Sequence, residues 1–390
     1  MKTAASRARK GTAVEGRARV DSMSTRKPEL GVVPVLGTGF NRWLLEGVDA
    51  SPILTDWWSL VRFVAWSEGL LPNAILEAKL GGDNDATFAW ESVVLAAAER
   101  SADQASDDSE DDRPIAAGRV ERRLLSALGH RIKELETDLA RNERVKQRAQ
   151  RFAAALTGNG ERSAQLVNLN FDKTFGSALG IVELHEPWAP TVLDEATSRS
   201  VKLIDPTRVA IVPEHGLQIW HPHGESNDSE HLVLGVHRYA RAVDYVVRAF
   251  GAFKKAERVI DQVSASVIHA TDTPIPFDQQ SWVSASINAP LLFLGVGLGR
   301  AEIDIWEFLH LRARNHANVV PTQRPKLFRV TCDQEDVRSR DHWRTLSDGI
   351  AITELRLGST WKEAWPLLLD ILATGSRLFG AQSPTLGGQQ

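Results

Sequence analysis

Short apolar runs closed by glycines or polar turns alternate along this chain with segments of helix length. That alternation most constrains the fold. The first run is LGVVPVLGTG, residues 30–39, rich in valine and ended by Gly37 and Gly39. Such a run suits a parallel strand that is buried on both faces and feeds a loop. Further strand-like runs are AQLVNLNFD (164–172), VAIVP (209–213), LQIW (217–220), HLVLG (231–235), APLLFLGVGL (289–298), KLFRV (326–330) and ITELRL (352–357). Helices are expected between them near 238–264, 302–314 and 361–373. The order implies an α/β fold, a Rossmann-like doubly wound parallel sheet.

One stretch breaks the alternation. Residues from about 50 to 158 carry helical patterns only and imply an inserted all-helical subdomain. The Trp-rich segment Leu54 to Leu71 and the run Phe88 to Ala98 are both of helical type. The strongest helical signal is Leu124, Leu128, Ile132, Leu135 and Leu139, spaced by three and four, with charged residues continuing through Arg151. An acidic loop, SADQASDDSEDDR at 101–113, separates these helices. Residues 1–28 are basic, nearly lack large apolar side chains and are expected to be disordered, with Met23 a candidate natural start. The tail 376–390 is rich in Gly, Ser and Gln and is expected to be flexible. Residues 29–375 then form the folded domain.

Composition narrows the function classes. A formal net charge of −4 over 390 residues argues against a surface that coats nucleic acid. The Arg-rich helix from Arg119 to Arg151 interleaves Glu with Arg, as a solvated face with i,i+4 pairs does. The single cysteine, Cys332, excludes an intramolecular disulfide and a cysteine-based zinc site within one chain. No apolar run approaches the roughly 18–20 residues of a membrane-spanning helix. The basic N-terminus lacks the apolar core of a secretory signal. The expected localisation is cytoplasmic, with no membrane partner.

Four segments can carry chemistry. Gly37-Thr38-Gly39-Phe40-Asn41 follows a strand, where glycines let backbone N–H groups approach a phosphate. A tight strand-to-helix turn would give the same residues. Asn168-Leu169-Asn170-Phe171-Asp172 ends another strand, and ligands of open α/β sheets bind beyond carboxyl ends of strands. Asp172 also suits a cap for a helix beginning near Lys173. Trp220-His221-Pro222-His223-Gly224-Glu225 places histidines, the side chains best suited to proton transfer near neutral pH, between a strand and a glycine turn. His221, His223, Glu225, Asp228 and His231 also form a cluster of imidazoles and carboxylates, but their spacing fits no metal motif. No metal ligand is therefore assigned. The fourth segment runs from Leu291 to Gly299, a buried strand ending in Gly295-Val296-Gly297-Leu298, a second place where backbone can approach a ligand closely.

These segments, in this order, resemble the sirtuin family and its prokaryotic sirtuin-like branch. Sirtuins have a Gly-Ala-Gly-x-Ser loop at the NAD pyrophosphate, a Thr-x-Asn-x-Asp strand end at the nicotinamide ribose, a His-Gly pair with the catalytic histidine, and a late Gly-Thr-Ser-Leu strand end at the adenosine. Gly37, Thr38 and Gly39 match the first, Asn170 and Asp172 the second, His223 and Gly224 the third, and Gly295 to Leu298 the fourth. Tyr239 matches a tyrosine after the histidine in the prokaryotic branch, and LTDWWSLV (54–61) is similar to its Trp-centred helix. The resemblance spans roughly residues 30–373. Asn41 stands in place of a serine, Asn168 of a threonine, and Val296-Gly297 of Thr-Ser. The four zinc-ribbon cysteines of deacylase sirtuins are missing.

The resemblance implies NAD as substrate, no zinc, and NAD hydrolysis to nicotinamide and ADP-ribose rather than lysine deacylation. It implies a role in bacterial antiphage defence by NAD depletion and abortive infection. Asn170 and His223 are the expected catalytic residues, with Asn170 ordering water and ribose hydroxyls and His223 as general base. Gly37, Thr38, Gly39, Asn41, Asp172, Gly295 and Gly297 are the expected NAD contacts. An enzyme of this kind needs restraint, and the sequence holds no recognisable sensor, ATPase or nuclease motif. Expected partners are further copies of the chain, or a product encoded nearby such as a hexameric translocase-type ATPase or a nucleic-acid-guided sensor. The alternative is a catalytically silent NAD or ADP-ribose sensor, or an assembly subunit of a defence complex.

Overall fold

A computed structural model describes residues 30–70, 86–104, 113–180, 183–185, 191–194, 199–202, 209–212, 216–226, 228–266, 281–298, 302–335, 337–374 and 379. The expected disorder of 1–28, the flexible tail and the centre of the acidic loop, 105–112, fall outside these residues, Phe379 excepted.

The strands are β1 (Val33–Leu36), β2 (Ala164–Asn168), β3 (Glu183–His185), β4 (Thr191–Asp194), β5 (Arg199–Lys202), β6 (Val209–Val212), β7 (Leu217–Trp220), β8 (Leu291–Leu294), β9 (Leu327–Thr331) and β10 (Ile352–Arg356). Eight of them form one sheet in the order β10-β9-β8-β1-β2-β7-β6-β3. The six strands from β10 to β7 run parallel, in register pairs such as Val35 with Phe293 and Val35 with Val167. From β1 the chain winds to β2 on one side and to β8 on the other, so the winding reverses at β1. The parallel doubly wound sheet is thus as the sequence implies.

Two features differ from the expected pattern. The β7, β6 and β3 edge is antiparallel, and β4 and β5 form a separate antiparallel pair. The expected strand at 231–235 is not one. It begins in a 3-10 turn, Ser229–His231, and continues as buried extended chain. β2 and β6 already occupy both edges of β7, so this segment has no ladder to join. Its Val233 amide donates instead to the His223 carbonyl at 2.8 Å.

The helices are α1 (Thr38–Leu44), α2 (Trp57–Ser67), α3 (Ala86–Gln104), α4 (Arg113–Ala140), α5 (Glu143–Thr157), α6 (Thr174–Ala178), α7 (Val236–Ser266), α8 (Trp282–Ser286), α9 (Ile303–Asn315), α10 (Val337–Ile350) and α11 (Trp361–Ala373). The long helical signal ending near Arg151 divides at Arg141–Asn142. Asn142 caps the new helix by accepting from the Arg144 amide at 3.0 Å, and Gly158 closes that helix at φ 57°.

The central strands β1, β8 and β9 are buried on both faces with strict alternation. Leu36, Leu166, Leu292, Leu294, Phe328 and Val330 face one core, which the helices α2 to α5 and α11 cover. Val33, Val35, Val167, Leu291, Phe293 and Leu327 face the other, beneath α7 to α10. The helical insertion therefore shares its core with the sheet: Leu60, Trp90, Leu124 and Phe152 pack with Leu36 and Leu166. Among the described residues, no helix is long and apolar enough to cross a membrane.

Candidate functional site

Four neighbouring parallel strands, β8, β1, β2 and β7, present their carboxyl ends side by side, and each is followed by one of the four candidate segments. This is the switch point of the sheet, where ligands of open α/β folds bind. A cleft lies against it, lined by Thr38, Asn170, Phe171 and Asp172 from the strand ends. Its apolar wall is Ile53, Leu54, Trp57, Leu60 and Ile132 from the helical insertion. Trp57 meets Phe171 edge-on, with ring centroids 4.9 Å apart. Asp56 fixes the start of α2 there by accepting from the Ser59 amide at 2.8 Å.

Asn41, Asn168, Asn170 and Asp172 are all buried and form one network. Asn170 Nδ2 donates to the Gly37 carbonyl at 3.1 Å, to Asn168 Oδ1 at 3.0 Å and to Asn41 Oδ1 at 3.4 Å. These bonds all use Nδ2, so Oδ1 is the atom Asn170 can offer to a ligand. Asn41 Nδ2 donates to Asp172 Oδ2 at 2.5 Å and to the Leu54 carbonyl at 2.8 Å. Asp172 Oδ1 accepts from the Thr174 amide at 3.1 Å, so Asp172 also holds the turn into α6. Asp172 thus holds the turn into α6 with one oxygen and Asn41 with the other. Asn41 and Asn168, which depart from the sirtuin pattern, are the residues that tie Asn170 down.

The glycines of the first and fourth segments meet each other. Gly37 and Gly39 donate to the Leu294 and Gly295 carbonyls, each at 3.0 Å, and Phe40 donates to the Gly37 carbonyl at 3.0 Å. A Cβ on Gly37 would lie 2.8 Å from Val296 Cα, and one on Gly39 would lie 2.6 Å from Gly295 Cα. The crossing of two backbones alone demands these glycines. Gly297 differs, since a Cβ there would meet nothing within 4 Å. Leu298 has a positive φ of 47° and is fully buried.

The two histidines part company across the sheet. His221 sits beside Asn170, Asp172, Lys173 and Glu225, and burial holds its imidazole below the usual range despite the pull of Glu225. His223 lies on the other side, wholly enclosed, with Nε2 3.1 Å from Asp304 Oδ2 of α9 and its ring 5.3 Å from the Tyr239 ring. Burial works against its charged form, but Asp304, Glu302 and the Leu169 carbonyl outweigh it and raise the His223 pKa. The expected meeting of Asn170 and His223 across one cleft is therefore not the arrangement seen. Asn170 lines the cleft, whereas His223 lies behind Leu169. Gly224 fixes the turn that follows His223, at φ 86° and packed on the His231 carbonyl.

Glu136 and Asp304 are buried carboxylates at the site that strand-end motifs do not reveal. Glu136 Oε2 accepts from the Lys173 amide at 2.8 Å and Ser226 Oγ at 2.9 Å, joining the chain after β2 to the chain after β7. Burial, with Asp172 close by, pushes its pKa up to about 7. The signal available was position. Glu136 falls four residues after Ile132, on the apolar stripe of its helix, and Asp304 stands between Ile303 and Ile305. A carboxylate on an apolar face is the informative exception.

Among the described residues no group of three or more His, Cys, Asp and Glu side chains converges as a metal site would require. His231 Nδ1 lies 2.6 Å from Asp228, and Glu225 lies 3.5 Å from Lys173 Nζ. Comparison with family models, with curated proteins and with solved structures yields no match.

Proposed function

We propose that the chain is an NAD glycohydrolase that cleaves NAD to nicotinamide and ADP-ribose. The observation that carries this reading is the convergence of the four strand ends, with Asn170 and Asp172 on the wall of the cleft at the switch point. The nicotinamide ribose would occupy that cleft and the pyrophosphate would lie near Thr38. Nicotinamide is cationic in NAD, so it departs with little acid catalysis. The bond from the ribose anomeric carbon to nitrogen breaks, and water adds to the resulting oxocarbenium-like centre. Asn170 Oδ1 would accept a hydrogen bond from that water, and His223 would take its proton, directly or through a ribose hydroxyl. The enclosure of His223 makes the described state a resting one, and turnover then requires the chain around His221–Ser226 or the segment after β8 to move. The cellular role proposed with it is depletion of NAD in phage-infected bacteria, under restraint by self-assembly or by a partner encoded nearby.

Incubation with NAD should release nicotinamide, and Asn170→Ala and His223→Ala should each lower that release by about 10²–10⁴-fold while keeping the wild-type circular dichroism. Hydrolysis at the wild-type rate by both variants would remove this mechanism.

One observation favours the second reading, a silent NAD or ADP-ribose sensor. The Asn170 Nδ2 group is spent on bonds within the protein, and His223 is paired to Asp304 rather than turned to the cleft. Tight NAD binding without nicotinamide release, under every assembly state tested, would select it.

A further inference from the structure

Asp304 and His223 come from distant parts of the chain and meet in an environment that excludes water. Their side chains are 1% and 0% exposed, and Nε2 and Oδ2 are 3.1 Å apart. His223 Nδ1 and Asp304 Oδ1 are both buried without a hydrogen-bond partner. A buried polar pair this isolated is costly unless its two members serve each other. Tyr239 of α7 closes the ring from the edge, and the Leu169 carbonyl and Glu302 are the other polar groups acting on it. Asp304 lies in the first turn of α9, the helix that follows the glycine segment after β8. The pair therefore ties the loop after β7 to the chain after β8.

We propose that Asp304 is the positioning residue for His223: it fixes the ring by Nε2 and so assigns proton exchange to Nδ1. This inference rests on the reading of His223 as the base of an NAD hydrolase. The chemistry is that of a carboxylate oriented on an imidazole. With the Nε2 proton held by the carboxylate, the neutral ring carries its lone pair on Nδ1. When Nδ1 takes a proton from water or a ribose hydroxyl, the carboxylate balances the imidazolium formed. No further co-reactant is needed: one proton moves to Nδ1 and later leaves to solvent. The direction of the His223 pKa agrees with this pairing.

The test separates this inference from the hydrolase reading, because its first arm needs no substrate. Imidazole nitrogen resonances are followed against pH by NMR in the intact chain, with His223→Gln used for assignment. Wild-type His223 should titrate above 6.5, the ordinary value. In Asp304→Asn it should titrate below that value, because burial, the largest effect on the ring, then meets only the weaker pull of Glu302 and the Leu169 carbonyl, and Asp304→Glu should restore the wild-type direction. In the second arm, nicotinamide release by Asp304→Asn should fall about 10²–10⁴-fold, with partial rescue in Asp304→Glu. An unchanged His223 titration in a folded Asp304→Asn overturns the proposal. So does a wild-type His223 that is neutral at pH 6.5, a result that stands even if the asparagine variant fails to fold. The titration shift without nicotinamide release from any form upholds the pairing and removes the hydrolase reading.

Discussion

Gly295→Ala is expected to cost about 2–5 kcal/mol of folding stability, whereas Gly297→Ala is expected to cost less than about 0.5 kcal/mol. Gly295 has a φ of 64°, and a Cβ there would overlap Gly39 Cα and the Phe40 nitrogen. An L-residue in that conformation costs about 1–2 kcal/mol. The overlap falls on backbone at the crossing of two loops, so relief requires shifting Gly39, Phe40 and the bonds at 3.0 Å that join this loop to the end of β8. Overpacking of this kind costs about 1–3 kcal/mol more. Gly297, two residues on, has open space in place of a clash. Urea unfolding of the two variants beside wild type measures the contrast. A Gly295→Ala midpoint equal to that of wild type would show that the two loops do not cross as described. The pair also separates stability from ligand binding. On the proposed reading, in which Gly297 contacts NAD, Gly297→Ala weakens NAD binding with its fold intact, since a Cβ there meets nothing within 4 Å.

Parallel strands such as β1, β8 and β9 were legible because both of their faces are buried. Residues such as Leu291-Leu292-Phe293-Leu294 are apolar throughout, and little else than a central strand needs four consecutive buried side chains. The same rule misleads at Leu232-Val233-Leu234. These residues are fully buried, yet they pack as a strap, because the edges of β7 are already paired. Burial is written in composition, whereas the partner of each backbone amide is decided by distant chain. The break between α4 and α5 was hidden for another reason. Its cap is a single residue, Asn142, flanked by the charged side chains Arg141, Glu143 and Arg144.

The site divides in the same way. Strand-end position made Gly37, Asn170, Asp172 and Gly295 legible, since a residue that follows a parallel strand must lie on one edge of the sheet. Which face of the sheet each side chain takes was not legible. His221 and His223 are two residues apart, yet one lies by Asn170 and the other by Asp304. Their separation depends on the turn at Pro222 to Gly224 and on α9, a helix some eighty residues further on. Asn170 and the glycines find their partners in the motifs themselves, whereas the carboxylates that hold His223 and the Lys173 amide, Asp304 and Glu136, come from helices that carry no motif of their own.

Glu136→Gln is expected to stabilise the folded chain by about 3 kcal/mol above pH 7 and to change little near pH 4.5. The Glu136 carboxyl is buried at 4% exposure, so screening by solvent offers little relief. Burial raises its pKa from 4.5 to about 7, helped by Asp172 and opposed by the bonds from Lys173 and Ser226. Because the folded value lies above the unfolded one, the folded state binds the extra proton between pH 4.5 and 7. The stabilisation is complete below 4.5 and is lost as pH rises through 7. At 1.36 kcal/mol per unit, a difference of this size amounts to about 3 kcal/mol. Glutamine cannot ionise, and its Oε1 can still accept from the Lys173 amide and Ser226 Oγ. Its amide brings no second negative charge toward Asp172, the charge that helps to raise the Glu136 pKa. Denaturant unfolding of both proteins from pH 5 to 8.5 gives the difference directly, and every other titrating group cancels from it. A gap that stays constant across that range would show that Glu136 ionises as an ordinary carboxylate does. A gap that opens between pH 5 and 7 establishes that the chain after β2 and the chain after β7 are clasped by a proton-bearing carboxyl from the helical insertion. Were the cleft to carry the proposed NAD hydrolysis, its rate would follow the same titration, since ionised Glu136 places a negative charge beside Asp172.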